Sequence, residues 1–386
     1  MTSVPPVIIL TSDAGSGHRS AAAAIAQHIT PFATPVVVNP AHHPLASQTL
    51  ARAEKLYLEV VNHAPEHYAF AHEITDAPGL DMVLEYSLAS TLRRSLLALV
   101  ATHQPRVVVS VYPLLTRILA GSLPKWKRPR LMTVVTDLGN VHRAWFSSHD
   151  DTVAVPSLVV RDKAVKCGID VRKLVHTGLP IQPAFVATRA SVSELRHALG
   201  WDPNLPTLLL LGGGAGVGPV REMAYALDQA TVPLQMAIVA GRNTALAAEL
   251  RQYVWQQRVH IYDFVPLADL MHACDVVASK AGGLTVSESM AAGKPMIFYG
   301  EAPGQEAGNR TYVMQAGAGL YAHDTAQFVE YARMLLTDRA ICQSMAVAAR
   351  RIGMPHATQA VANEILRLLQ NDRALSRPPA HYVGWR

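Results

Sequence analysis

Two glycine-flanked stretches hold the residue types that could bind a nucleotide and move a proton. The first, residues 275–309, reads as a short strand (Val276–Ala278), the pair Gly282-Gly283 and a helix from about Thr285. A second strand (Pro295–Tyr299) and a polar loop, Gly304-Gln305-Glu306-Ala307-Gly308-Asn309, complete it. A strand that feeds glycines into a helix start leaves backbone N–H groups and the positive end of the helix dipole open, which suits phosphate. The same glycines also suit a plain βα turn, and Thr285-x-x-Glu288 fits a capping box in which Glu288 only reaches back to the helix start. In a parallel sheet both loops lie at the carboxyl ends of neighbouring strands, where α/β proteins bind ligands. The second stretch is Asp13-Ala-Gly-Ser-Gly-His18. Gly15-x-Gly17-x-x-Ser20 approaches a dinucleotide fingerprint, yet no Asp or Glu stands between Asp13 and Glu54 to take a ribose, which argues against a nicotinamide site. His18, with a near-neutral pKa at a strand mouth, has the chemistry of a general base; otherwise it is an ordinary helix-start residue. Asp137, after another strand, is the second candidate base, or an Asx-turn residue.

Strands and helices must position these groups. Apolar runs place strands at Pro5–Leu10, Val107–Val111, Leu131–Val135 and Leu174–Thr177, and again at Thr207–Leu211, Leu234–Ala240 and His260–Tyr262. Ser20–Ile29, Ala51–His63, Leu80–His103 and the stretch from Thr325 to about Gln370 read as helical. The run Gly212-Gly213-Gly214-Ala-Gly-Val-Gly218 is another glycine loop before a helix, with no Walker lysine behind it, and Gly241-Arg242-Asn243 ends the next strand. A chain of 386 residues is long for one core. The expected fold is therefore α/β, two Rossmann-like βα domains facing a cleft, 1–186 and 187–370. The Pro-rich stretch Gly178–Phe185 links them, and residues 371–386 form an irregular tail.

Half of the residues are hydrophobic and 16% are charged, which supports large buried sheets, while no apolar run is long enough for a membrane span. Cys167, Cys274 and Cys342 are scattered and form neither a disulfide framework nor a metal knuckle, as in a reducing compartment. The N-terminus lacks a basic leader pattern, so no signal peptide is expected. Net charge is +5, and residues 1–186 hold 17 Lys/Arg against 13 Asp/Glu. The densest basic segment, Lys125-Trp126-Lys127-Arg128-Pro-Arg130, together with Trp145, suggests an anionic membrane surface. His149-Asp150-Asp151 reads as a solvated turn.

Taken in order, several motifs resemble the monogalactosyldiacylglycerol synthases and the related processive diacylglycerol glucosyltransferases. They are Asp13–His18, Thr136-Asp137-Leu138…His142…Trp145-Phe146, Gly178-Leu-Pro-Ile181, Gly212–Pro219, Gly241–Asn243 and Gly304–Asn309. Ser279–Glu288 is similar to the N-acetylglucosaminyltransferase that makes lipid II. The resemblance spans roughly residues 5–370 and implies the GT-B fold. It departs at Ser16, where a third glycine is usual, and at Gly283-Leu284, where a Pro-Gly pair is usual. What it implies is an inverting hexosyltransferase moving galactose or glucose from a UDP-sugar to diacylglycerol or a related glycolipid. The alternative is a UDP-N-acetylglucosamine enzyme, a lipid-linked transferase or a 2-epimerase.

By the same resemblance His18 takes the acceptor proton, with Asp137 as runner-up or orienting group. Gly213, Gly214, Arg242, Gly282, Gly283, Leu284 and Thr285 are placed around the diphosphate, Lys280 belongs with the donor-binding groups, and Glu288 binds the ribose. Phe264 and Val265 flank the uracil, Gln305 and Glu306 face the sugar, and Asn309 lies on the phosphate side of that helix. Gly17, His142, Trp145 and Lys125–Arg130 belong to the acceptor and membrane side. No cofactor or metal is expected at the diphosphate and no nucleic acid as partner. The implied location is cytoplasmic, peripheral on the inner face of the cell membrane.

Overall fold

The computed structural model describes residues 4–13, 16–46, 74–77, 79, 81–186, 190–214, 216, 218–230, 233–300 and 305–370. The helix expected at Ala51–His63 and the tail 371–386 lie outside them. The first half forms strands β1 (Pro6–Leu10), β2 (Thr34–Val38), β3 (Val107–Ser110), β4 (Arg130–Val134), β5 (Thr152–Val155) and β6 (Leu174–His176). The second half forms β7 (Thr207–Leu211), β8 (Gln235–Val239), β9 (Arg258–Tyr262), β10 (Val276–Ser279), β11 (Met296–Tyr299) and β12 (Gly319–Ala322). They build two six-stranded sheets, ordered β2-β1-β3-β4-β5-β6 and β12-β11-β10-β7-β8-β9. Every neighbouring pair is parallel. Helices cover both faces, so the central strands are apolar throughout instead of alternating; all five residues of β7 are buried. This is the doubly wound pair of domains expected from the sequence.

Among the described residues the first-half α-helices are α1 (Ser16–Ile29), α2 (Asp81–His103), α3 (Leu115–Ser122) and α4 (Leu158–Lys166). They continue as α5 (Val192–Ala198), α6 (Val220–Asp228), α7 (Thr244–Gln252), α8 (Ala268–Ala273) and α9 (Gly283–Ala291). The last are α10 (Gln305–Gln315), α11 (Thr325–Thr337), α12 (Arg339–Ile352) and α13 (Ala357–Gln370). The sequence division at 187–370 needs one correction, at α13. Its apolar face (Val361, Ala362, Ile365, Leu368, Leu369) is buried with Val7, Ile9, Ala22 and Ile25 of the first half. The chain thus returns to its starting domain, and Thr358 Oγ1 donates to Ile181 O at 2.6 Å beside the linker.

Strand order decides where ligands go. In the first sheet β1 lies between β2 and β3, so chain connections leave it in opposite directions; in the second, β7 lies between β8 and β10. Such switch points open a crevice at the carboxyl ends of the strands. The segments after β1 and β4 of one sheet meet those after β10 and β11 of the other.

Candidate active site

At the end of β1, α1 carries His18 in its first turn. The imidazole Nδ1 lies 2.9 Å from the Val111 carbonyl oxygen and 3.0 Å from Thr136 Oγ1. A carbonyl only accepts, so the proton sits on Nδ1 and Nε2 keeps its lone pair. Tyr112 meets the ring edge-on at 5.1 Å, and Trp145 stands 6.2 Å away. Loss of solvent around the imidazole pushes its pKa down to about 4, while the hydrogen bond to Val111 pulls the other way. The near-neutral pKa read from the sequence is thereby corrected: above pH 5 this is a neutral base. Val111, Tyr112 and Thr136 were given no role by sequence reasoning. Their shared signal is position, immediately after the β3 and β4 runs.

Asp137, the other candidate base, is 4% exposed, and its Oδ1 accepts from Asn309 Nδ2 at 3.2 Å. His18, by contrast, is only partly buried.

Across the crevice the glycine loops form one packed unit. Gly216 has φ +64°, and a Cβ there would run into the Ala240 carbonyl; one on Gly241, also at +64°, would lie 2.5 Å from Gly213 O. Only glycine closes these turns. Arg242 N donates to Gly214 O at 3.2 Å and Asn243 Nδ2 to Gly216 O at 3.0 Å. Lys280 stretches over the loop, its Cε and Cδ 3.9 and 3.8 Å from Cβ positions built on Gly213 and Gly218. The Arg242 guanidinium carbon stands 4.7 Å from the centre of the Phe264 ring, which is 58% exposed. Val265 beside it is half-buried. An open aromatic face next to cations and glycine N–H groups fits a base, a ribose and a diphosphate in that order.

Helix α9 begins at Gly283 with Gly282 as its N-cap and no capping side chain. Thr285 therefore sits inside the first turn, and the capping-box reading of Glu288 falls away. The first-turn N–H groups of α9, at Gly283, Leu284 and Thr285, thus have no side-chain cap. Glu288 is 4% exposed, and its carboxyl makes no hydrogen bond among the described residues. Burial raises its pKa to about 8. Glu306 Oε1 lies 3.8 Å from a Cβ position on Gly282, and a Cβ on Gly17 would stand 3.7 Å from Leu284 Cβ. The helix that carries the base and the helix that carries Glu288 thus begin side by side. Gln305 opens α10, and its side chain lies outside the described residues.

Sequence comparison gives this arrangement its family. Residues 18–181 match the model for monogalactosyldiacylglycerol (MGDG) synthase, and residues 207–330 match the glycosyltransferase family 28 C-terminal domain. Monogalactosyldiacylglycerol synthase 3, chloroplastic, of Arabidopsis thaliana is 30% identical over 390 residues, covering 96% of this chain and 83% of the relative. The chain belongs to the monogalactosyldiacylglycerol synthase family. It is a UDP-sugar-dependent hexosyltransferase of the GT-B class, as its motifs implied. Among solved structures, MurG of Acinetobacter baumannii is similar with a TM-score of 0.59 at 14% identity, over 94% of this chain and 99% of that one. The UDP-GlcNAc 2-epimerase from Neisseria meningitidis bound to UDP-GlcNAc gives 0.59 at 13% identity, over 94% and 100%. These two share the fold.

Family membership and geometry correct several expectations on the acceptor side. Relatives from Arabidopsis thaliana and Oryza sativa are named chloroplastic, which contradicts a placement on the inner face of the cell membrane. Trp145 is 4% exposed and packs beside His18 within the first domain, away from any surface. His142 caps a 3-10 turn through Nδ1 and meets Thr75 Oγ1 through Nε2 at 3.1 Å, so both ring nitrogens are committed. Within the basic segment Lys125 and Lys127 are exposed and Trp126 is half-buried. Arg130 pairs with Asp151 at 2.8 Å and Arg128 donates to His149 O at 3.1 Å. The segment leads into the amino end of β4, the opposite end of the sheet from the crevice. Asp150, read as part of a solvated turn, is fully buried: Thr133 Oγ1 donates to its Oδ2 at 2.7 Å, and desolvation lifts its pKa to about 7. Asn309, expected near phosphate, is fully buried between the domains.

Proposed function

We propose that the chain is an inverting glycosyltransferase that moves a galactosyl or glucosyl group from a UDP-hexose to diacylglycerol, or a related glycolipid, at a membrane surface. One observation carries the reading: a neutral histidine with its Nε2 lone pair open stands beside the uncapped start of the helix that holds Glu288. In this reading the Arg242–Phe264 face takes the uracil, Glu288 takes the ribose hydroxyls, and the start of α9 with Lys280 takes the diphosphate. The acceptor hydroxyl attacks the anomeric carbon while His18 Nε2 removes its proton. The bond to the diphosphate oxygen breaks, and its electron pair leaves with UDP. Negative charge grows on that leaving group, where fixed N–H dipoles and a lysine stabilise it without reorganising.

Epimerisation would need free carboxylates at the sugar. On the first-domain side the candidates are Asp137, which is enclosed, and Asp13, which is held by Arg19 at 3.2 Å and by Asn39 Nδ2 at 3.2 Å. The reading is tested by incubating the protein with diacylglycerol vesicles and UDP-galactose, UDP-glucose or UDP-N-acetylglucosamine in turn. A hexosyl-diacylglycerol from one of the first two is expected. Turnover of UDP-N-acetylglucosamine alone, by transfer or by epimerisation, overturns it.

A further inference from the structure

Asn309 stands apart from the groups around the donor. It is fully buried, and each polar atom of its amide is used. Oδ1 accepts from Leu138 N at 2.6 Å, and Nδ2 donates to Asp137 Oδ1 at 3.2 Å and to Ala281 O at 3.1 Å. Leu138 and Asp137 lie in the first domain; Ala281 and Asn309 lie in the second. Backbone contacts flank the amide on both sides. A Cβ on Gly139 would run into the carbonyl of Gly308, and one on Gly283 would lie 2.5 Å from Thr136 O. The segment Thr136–Leu138 is thus clamped to α9 and α10 on one side. On its other side Thr136 Oγ1 holds His18 Nδ1.

We propose that Asn309 is a positioning residue for the transfer, fixing Thr136–Leu138, and through Thr136 the His18 imidazole, in register with the start of α9. The role rests on the glycosyltransferase reading above and adds to it a specific mechanical link between the domains. Asparagine suits it because one side chain must accept from an N–H and donate to a carboxylate and a carbonyl at once. An aspartate in its place has no N–H for Ala281 O, and beside Asp137 one of the two carboxyls must take up a proton or the pair is pushed apart. A displacement on the scale of 1 Å at the reacting groups costs about 10²-fold in rate.

The test compares Asn309→Asp, the wedge Gly139→Ala, and the double variant Asp137→Asn/Asn309→Asp, which restores a donor opposite the carboxylate. Turnover is measured with UDP-hexose and diacylglycerol, and UDP affinity by calorimetry. Asn309→Asp and Gly139→Ala should each lose about 10²-fold or more in kcat. UDP affinity, which also reports a folded second domain, should stay within about threefold, and the double variant should regain at least tenfold over Asn309→Asp. Loss of UDP affinity in step with turnover in both single variants, or unchanged kcat in Gly139→Ala, overturns the positioning role. If Asn309→Asp does not fold, Gly139→Ala alone decides, because it wedges the same contact and leaves Asn309 in place. Absence of turnover in the unaltered protein counts against the glycosyltransferase reading itself.

Discussion

His18→Ala should lower kcat about 10²–10⁴-fold, the usual effect of removing a general base, while leaving UDP affinity nearly unchanged. The proton moves only as the new bond forms, so the loss belongs to the transition state and not to donor binding. In the proposed arrangement UDP is held by groups of the second domain, whereas His18 belongs to the first. The pH dependence carries a second signature. With the free imidazole pushed down to about 4, the base is already deprotonated at pH 6. The acid limb of kcat/KM for the donor should therefore fall near pH 4, below the ordinary histidine range. Bound diphosphate adds negative charge beside the ring and favours the imidazolium, so the limb in kcat should lie at higher pH. Steady-state rates from pH 3.5 to 8 check both. Retained turnover in His18→Ala together with its abolition in Asp137→Asn would move the base to Asp137.

Glu288→Gln should weaken UDP binding by about 1–3 kcal/mol, the scale of a lost hydrogen bond to a charged group. The pH dependence gives the sign. Burial holds the free carboxyl protonated up to about pH 8, and ribose hydroxyls, which donate, favour its ionised form. Wild-type affinity should therefore rise from pH 6 to 8 and level off above, whereas the Gln variant should show no such rise. Stability moves the other way. The folded pKa is raised above its reference of 4.5, so the stability tied to this proton is complete below pH 4.5. It is lost as pH rises through 8, and the unliganded Gln variant should escape that loss. Calorimetric titrations and melting curves at pH 6, 7 and 8.5 follow both effects. A flat wild-type profile with unchanged affinity in the variant would detach Glu288 from the donor.

Much of the frame was legible because parallel strands covered on both faces must be continuous apolar runs, and nine of the twelve strands had such runs. The three that did not show why others hide. β2 contains Pro35, tolerated only because that strand is an edge. β12 opens on Gly319, which reads as a breaker, yet a Cβ there would come 2.8 Å from the Phe298 ring. β5, Thr152–Val155, is hemmed in by Asp150-Asp151 on one side and Pro156 on the other, so its short run reads as part of a turn.

The candidate site was legible where chemistry is local. A glycine loop, a helix start and a histidine beside them fix their own neighbourhood, so Gly213, Lys280, Gly282 and Glu288 gather around one crevice. Long-range packing was not legible. Trp145 is indistinguishable in sequence from a surface tryptophan, and only β4 and its following turn place it against His18. Asn309 sits in a loop motif with Gln305 and Glu306, but one helical turn rotates it away from them and onto Asp137, 172 residues distant in the chain. The lowered pKa of His18 likewise depends on burial, opposed by the hydrogen bond to the Val111 carbonyl, which no spacing rule links to residue 18.

Direct displacement, with the acceptor hydroxyl activated by His18 on the face of the sugar opposite the departing UDP, inverts the anomeric carbon. The measurement that reaches it most directly is the anomeric configuration of the product. Glycolipid made from an α-linked UDP-hexose is isolated, and the coupling constant of its anomeric proton is read by NMR. A β-linked hexosyl-diacylglycerol is the expected result, one inversion at one carbon. An α-linked product would mean two displacements or a front-face route, and would contradict the assignment of His18 as the base of a single in-line step.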